Sequence, residues 1–299
     1  MAVRKTFYNR LTVLLYTVRQ DLKQNTRMRG IKMTTILKIA TFNVNSVRSR
    51  MPVLKQWLSE AGAPDVVCFQ ETKCVDAEFP RSDFEQLGYV CNFRGMKSYN
   101  GIAVISRTAP DEVHFGLEDE PEEGRRESEN ARVVRVRFGD FNLVNSYVPQ
   151  GKEITHPDYP YKLRFFARLK KLFKTKYTPE DKLLWVGDLN VARCDMDIAN
   201  PKGKEEHVCF TQEVKDALTD VMDFGLTDIF RQHRPDAGEF TFWDYRVKNS
   251  LERNIGWRID HLLGTKKVAD ACRGVVVERR LRAMEKPSDH TAVVAEFEL

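Results

Sequence analysis

Leu183-Leu184-Trp185-Val186-Gly187-Asp188-Leu189-Asn190 is a run of four apolar residues that breaks at a glycine and ends in an acid and an amide. An apolar run this short, bounded by such a break, reads as a buried strand. An Asp and an Asn two apart on extended backbone point their side chains the same way. Three other stretches are built alike. Leu37–Asn43 alternates as a strand and runs into Val44-Asn45; Val66–Phe69 runs into Gln70-Glu71; the last strand, Thr291–Phe297, follows Ser288-Asp289-His290. Strand ends held by a rigid sheet are where a pre-organised set of side chains is best placed. One such ending means little, since every strand must leave its sheet through polar loop. Four endings rich in Asn, Glu, Asp and His indicate a site.

Between these strands the apolar spacing becomes helical. Val53, Leu54, Trp57 and Leu58 predict a helix with Pro52 in its first turn and Gly62 just past its end. Leu163, Phe166, Leu169, Leu172 and Phe173 form one face of a second helix, whose Lys and Arg on the other face read as solvated. Val214, Leu218, Val221 and Met222 mark a third, stopping near Gly225. Gly101–Ser106, Phe141–Val148 and Ile259–Leu263 read as strands. Val134, Val136 and Phe138, alternating with Arg135 and Arg137, predict a half-exposed strand, and the charge-dense stretch 118–130 a solvated loop. No Gly/Ser/Pro-rich linker and no short-period repeat divides the chain. The expectation is one mixed α and β domain over residues 36–299.

With 299 residues, 42% hydrophobic and 30% charged, the composition is that of a globular protein. No stretch approaches the ~20 apolar residues that a membrane-spanning helix needs. The net charge of +5 is unevenly placed: residues 1–32 carry eight Lys and Arg against Asp21 alone, a surplus of seven that leaves −2 for the rest. The body is nearly neutral, so a nucleic-acid reading cannot rest on bulk electrostatics. Residues 1–35 form a basic leader with three open readings: an extension upstream of a true start at Met33, a targeting peptide, or an arm that touches phosphates. The six cysteines are scattered without a Cys-x-x-Cys pair, which argues against a zinc site or a disulfide framework and for a reducing compartment.

Carboxylates and amide oxygens are hard ligands suited to Mg²⁺, which needs only one or two carboxylates plus substrate phosphate. A histidine beside an aspartate has its tautomer fixed and can be stabilised as a cation. These parts suit metal-assisted phosphodiester hydrolysis. The marks of esterases, P-loop NTPases and dinucleotide-binding enzymes are absent from the sequence.

The motifs KIATFNVNSVRSR (38–50), PDVVCFQETK (64–73), YNGIAVISR (99–107), NSYVPQG (145–151), WVGDLNVA (185–192), FTFWDYR (240–246), NIGWRIDHLL (254–263) and EKPSDH (285–290) follow one another along nearly the whole body. In that order they resemble the exonuclease III branch of the endonuclease/exonuclease/phosphatase superfamily, the xth-type apurinic/apyrimidinic endonucleases. The resemblance implies an α+β fold, a four-layer αββα sandwich of two mixed sheets packed face to face with helices outside. It implies an Mg²⁺- or Mn²⁺-dependent enzyme that cleaves duplex DNA 5′ to abasic sites and trims 3′ ends. It also implies a monomer with no membrane association, at work in the cytoplasm. A phosphoesterase of the same superfamily acting on a non-DNA phosphate is the alternative.

Residue by residue, the resemblance makes Glu71 the main metal carboxylate with Asn43 beside it. Asp188 orients or deprotonates the attacking water, and Asn190 holds the phosphate. His290 contacts the scissile phosphate and pairs with Asp260; Asp289 belongs to a second or alternative metal position; Tyr147 lies near the phosphate. The implied catalytic set is Tyr147, Asp188, Asn190, Asp260 and His290, and the implied metal set Asn43, Glu71, Asp188, Asn190, Asp289 and His290. Phe242, Trp257 and Ile259 would line a pocket for an extruded abasic sugar. Arg48, Tyr99 and Asn100 would grip the duplex, with Gln150 standing where most relatives carry Asn. Asn45 replaces an Asp found in some relatives. Trp243 is expected in the core, and His261 on the face opposite Asp260. His114, His156, His207 and His233 receive no role.

Overall fold

A computed structural model describes residues 36–299; the leader assigned to residues 1–35 lies outside the described residues. In chain order the elements are β1 (Ile36–Asn43), α1 (Val47–Leu58), β2 (Val66–Gln70), α2 (Arg81–Gln86), β3 (Val90–Arg94), β4 (Ile102–Ser106), β5 (Glu112–Phe115), α3 (Arg126–Asn130), β6 (Val133–Phe138) and β7 (Phe141–Tyr147). There follow α4 (Asp158–Lys176), β8 (Lys182–Asp188), α5 (Gln212–Met222), β9 (Leu226–Asp228), α6 (Ile229–His233), β10 (Asp260–Thr265), α7 (Lys266–Ala271), β11 (Cys272–Val277), α8 (Arg279–Arg282) and β12 (Val293–Glu298). Among the described residues no helix is long and apolar enough to cross a membrane.

The strands form two six-stranded sheets, ordered β11-β12-β1-β2-β4-β3 and β5-β6-β7-β8-β10-β9. Each is mixed: β1 and β2 run parallel, as do β7 and β8, while β11–β12, β2–β4, β3–β4, β5–β6, β6–β7, β8–β10 and β9–β10 are antiparallel. Strand alternation sends Ala40, Phe42, Val67 and Phe69 outward against the buried side of α1. The same alternation in the second sheet sends Val144, Leu183 and Trp185 against Phe165, Leu169 and Phe173 of α4 and Val214 and Leu218 of α5. The inner faces meet each other. Gln70 Nε2 crosses between the sheets to Asn145 Oδ1 at 2.7 Å, and Asn145 Nδ2 reaches back to the carbonyls of Phe69 and Ala103. The result is the four-layer αββα sandwich.

Register explains the placement of the site. Tyr147, Asp188 and Asp260 are direct cross-strand partners, side by side at one end of β7, β8 and β10. Asn43 and Gln70 are likewise partners at the ends of β1 and β2, with Glu71 the next residue. Gly187 makes this end possible. It has φ 140°, and a Cβ there would lie 1.9 Å from the Ser146 carbonyl oxygen. Only glycine allows β7 and β8 to approach this closely just before Asp188.

Four local expectations are corrected. The first helix begins at Val47, capped by Ser46, so Pro52 lies inside it rather than in its first turn. Burial of Val47, Met51, Val53, Leu54 and Trp57 outweighs the hydrogen bond lost at the proline. Residues 118–130 are not a solvated loop: they include α3, and Glu129 is buried against Arg168. The basic face of α4 is not simply solvated either, because Arg164 pairs with Glu122, and Arg168 with Asp119 and Glu129. The acidic stretch and the basic face, each exposed when read alone, neutralise one another. Arg135 is likewise buried, paired with Glu118.

Candidate active site

Asn43, at the end of β1, links the two sheets. Its Oδ1 accepts from the Asn45 N–H at 3.0 Å, which turns its NH₂ toward two carboxylates, Glu71 Oε1 at 2.8 Å and Asp188 Oδ2 at 2.9 Å. Glu71 follows β2 in left-handed backbone (φ 52°). Burial pushes its carboxyl up, but the Lys73 ammonium and the Asn43 amide more than reverse this and hold it below its ordinary value. Asp289 Oδ1 accepts from Asn45 Nδ2 at 2.9 Å, which brings a further carboxylate to the same corner.

His290 lies across from this group. Ser288 Oγ donates to the Asn43 carbonyl and accepts the His290 N–H, fixing the turn onto the end of β1. His290 Nδ1 is 2.8 Å from Asp260 Oδ2, and its Nε2 is 3.8 Å from Asp188 Oδ2. Burial opposes charge on the ring, yet Asp260 and Asp188 together raise its pKa well above the ordinary histidine value. Asp188 is almost fully buried; burial, with the charges of Asp260 and Glu71, raises its carboxyl, and His290 opposes the shift. Tyr147 sits against Glu71. Burial first, and then the carboxylate, hold the phenol well above its ordinary value, so it is neutral and a donor. Arg132 packs over its ring at 4.7 Å.

Asp188, Asp260 and His290 place ligand atoms within 4.8 Å of one another. This triangle has the ligand types of a carboxylate/histidine metal site. The Glu71 corner fits a divalent ion better: its donors are hard oxygens, and it already draws a cation, the Lys73 ammonium 2.6 Å from Glu71 Oε2.

Asn190 (φ 53°) ties the next loop back. Its N–H donates to Asp188 Oδ1 and its Nδ2 to the Val148 carbonyl, both at 3.0 Å. Beneath it Lys162 of α4 is fully buried, with Nζ donating to the carbonyls of Asn190 and Val208 at 2.7 Å and of Gln150 at 3.2 Å. Lys162 thus gathers the loop after β7 and both ends of the connection from β8 to α5 around the site.

The cluster opens into a cavity of about 340 Å³. Its lining holds Glu71, Tyr147, Asp188, Asn190, Asp289 and His290 together with Phe242, Trp257 and Ile259, and also Gln150, Lys204 and Arg246. The Phe242 ring packs on His290 at 4.8 Å between centroids. Asn43 and Asp260 stand behind this surface as partners of the lining carboxylates and His290. The other residues expected to bind DNA lie outside the cavity lining. Arg48 is paired with Glu78 at 2.7 Å, and Tyr99 is 69% exposed. Asn100 is buried, its amide on Ser128 Oγ and its carbonyl on the Lys73 N–H. Arg258 is fully buried between Asp197 and Asp228.

The sequence reading assigned no role to three residues that shape this site. His207 lines the cavity with its ring 4.5 Å from that of Trp257. Lys162 looked like one cation among many on an amphipathic helix. Lys73 carried a legible signal, its position two residues from Glu71.

Residues 40–290 match the Endonuclease/Exonuclease/phosphatase family. The chain is 33% identical to exodeoxyribonuclease III of Haemophilus influenzae over 269 residues, which cover 87% of this chain and all of that one. Its fold superposes on an AP endonuclease from Archaeoglobus fulgidus with a TM-score of 0.83 and 39% identity, covering 88% of this chain and all of the other. It superposes on a 3′ phosphatase from Neisseria, bound to a product DNA hairpin, with a TM-score of 0.80 and 34% identity over 88% of this chain and all of that one. A match across nearly the whole described sandwich, together with carboxylates and a histidine gathered at its edge, makes the chain a member of the endonuclease/exonuclease/phosphatase family.

Proposed function

We propose that the protein is a divalent-metal-dependent DNA-repair phosphodiesterase of the exodeoxyribonuclease III type, which cleaves duplex DNA 5′ to abasic sites and processes 3′ ends. The observation that carries this reading is one cavity lined both by Glu71, Asp188 and His290 and by Phe242, Trp257 and Ile259. Phosphoester chemistry thereby adjoins an apolar wall suited to a sugar without its base. The family relatives with DNA-repair names support it.

The residues divide the work by position and charge. Glu71, with Asn43 and Asp289 close by, would hold Mg²⁺ or Mn²⁺, which supplies Lewis acidity to the phosphate and the leaving oxygen. Asp188, its carboxyl raised by burial, aligns a water and takes its proton. His290, kept cationic by Asp260, donates to the phosphoryl oxygens as negative charge builds there. The neutral Tyr147 phenol adds a donor, and Asn190 fixes the Asp188 carboxylate through its N–H. Arg48, Tyr99, Asn100 and Gln150 serve the flanking duplex. Every residue of the cavity comes from one chain, which supports action as a monomer, and the likeness to a bacterial exodeoxyribonuclease III supports a cytoplasmic setting.

A duplex oligonucleotide with one tetrahydrofuran abasic analogue, and a second with a 3′-phosphate end, test the reading. With Mg²⁺, incision 5′ to the analogue and release of phosphate are expected, and with EDTA neither. A purified protein that leaves both substrates intact in Mg²⁺ while hydrolysing a small phosphate ester would overturn it.

A further inference from the structure

Glu71 and Lys73 flank Thr72 in a loop where both have φ 52°, a left-handed backbone unfavourable for residues with side chains. The loop is held from both sides. The Ser46 and Val47 N–H groups donate to the carbonyls of Glu71 and Thr72, and the Thr72 and Lys73 N–H groups donate to those of Gly101 and Asn100. The position opposite must be glycine, since a Cβ at Gly101 would lie 2.0 Å from Thr72 Oγ1. This backbone turns the Lys73 side chain back onto the site. Its Nζ lies 2.6 Å from Glu71 Oε2 and 2.6 Å from Asn45 Oδ1. The other Glu71 oxygen holds the Asn43 amide. A carboxylate oxygen and an amide oxygen around a positive charge are the donor chemistry that a divalent ion seeks. A divalent ion at Oε2 would meet the ammonium at contact distance, where like charges repel. The Lys73 side chain is 28% exposed on a flexible stem, so its ammonium has solvent to move into.

We propose that Lys73 is a resident cation that occupies Glu71 before a divalent ion does, and that metal loading requires its ammonium to leave that carboxylate. The proposal rests on the reading of Glu71 as the metal carboxylate. Lys73 is then a positioning residue with two effects. It keeps Glu71 charge-compensated beside Asp188 in the metal-free enzyme, and it makes the site bind metal more weakly than its oxygens alone would.

The test is Mn²⁺ binding to the full chain without DNA, by isothermal titration calorimetry. Lys73→Met should bind Mn²⁺ about tenfold more tightly than the unaltered protein, because a competing charge at contact distance is gone. Lys73→Arg should stay within about twofold of the unaltered protein, because the charge is kept. Glu71→Gln should lose the binding. Lys73→Gln repeats the measurement should the Met variant unfold. A lysine that only supported the loop would give weaker binding when removed, the opposite direction. Unchanged or weaker binding in the Lys73 variants, with binding abolished in Glu71→Gln, would overturn the proposal and leave the site reading standing. Normal binding by Glu71→Gln would remove the reading of Glu71 and the proposal with it.

Discussion

Asp188 and His290 face each other at 3.8 Å, and burial acts on them with opposite consequences. The Asp188 carboxyl is pushed up by burial and by the charges of Asp260 and Glu71, and only partly held down by His290. His290 is the cation that offsets these acids. The two therefore separate activity from stability with opposite signs. Asp188→Asn should lower kcat by about 10³-fold or more, since the base is gone, while the melting temperature stays level or rises. His290→Ala should abolish turnover to a similar extent and also lower the melting temperature, because it leaves Asp188 and Asp260 uncompensated. Activity assays beside thermal melts check both, and a stabilised His290→Ala would contradict the charge assignment. At this scale the sequence revealed the residues whose neighbours in the chain announce them: Gly187-Asp188-Leu189-Asn190, Gln70-Glu71 and Ser288-Asp289-His290. It did not reveal Lys162 or His207. Their roles come from contacts with segments far along the chain, Lys162 with Asn190 and Val208 and His207 with Trp257.

At the scale of elements, strand ends were legible and helix margins were not. The alternation along β1 and the apolar runs of β2 and β8 give their direction and burial directly. The start of α1 five residues ahead of Pro52 was hidden, because it depends on Val47 and Met51 packing against the sheet. The burial of Glu129 and Arg168 was hidden for a related reason, since each neutralises the other only after α3 docks on α4. The most constrained point of any element is Gly187. Its φ of 140° and the 1.9 Å approach of its absent Cβ to the Ser146 carbonyl leave no room for a side chain. Gly187→Ala should cost about 3 kcal/mol or more, read from urea unfolding. It should also lower activity in the fraction that folds, because relief of the clash moves Asp188 away from Tyr147 and Asp260. A loss below about 1 kcal/mol would show that β7 and β8 can part more easily than their register suggests.

At the scale of the whole molecule, the two sheets are joined by polar as well as apolar contacts. The Gln70–Asn145 pair bridges them in the interior, and Asn43 joins the carboxylates that each sheet contributes. A second polar group, Arg258 with Asp197, Asp228 and His261, fastens the segment after β8 to the edge of the second sheet. His261 is neutral there: Nε2 donates to the Val191 carbonyl at 2.7 Å and Nδ1 faces Arg258. Burial, and then the Arg258 charge, lower its pKa to about 4 from 6.5. Above pH 6.5 it is neutral in the folded and unfolded chain alike, so that stability is fully present. Below that pH the unfolded chain takes up a proton that the native protein refuses, and stability falls until about pH 4. Between pH 7 and pH 5 the loss should be about 2 kcal/mol. Urea titrations of the unaltered protein and of His261→Gln at both pH values measure it, and equal slopes in the two proteins would refute it.

The side-by-side register of Tyr147, Asp188 and Asp260 carries a practical lesson for redesign. Side chains on a strand switch faces at every step, so lengthening β8 by one residue would swing Asp188 to the wrong side of the sheet. The connection after β8 is no freer: the stretch from Val191 to Thr211 brings His207 to the cavity wall, but it also supplies Asp197 to the buried Arg258, the Val208 carbonyl to the buried Lys162 and the Val191 carbonyl to His261. An engineer seeking a new substrate should therefore exchange single side chains on the cavity wall and leave strand lengths and these buried anchors alone.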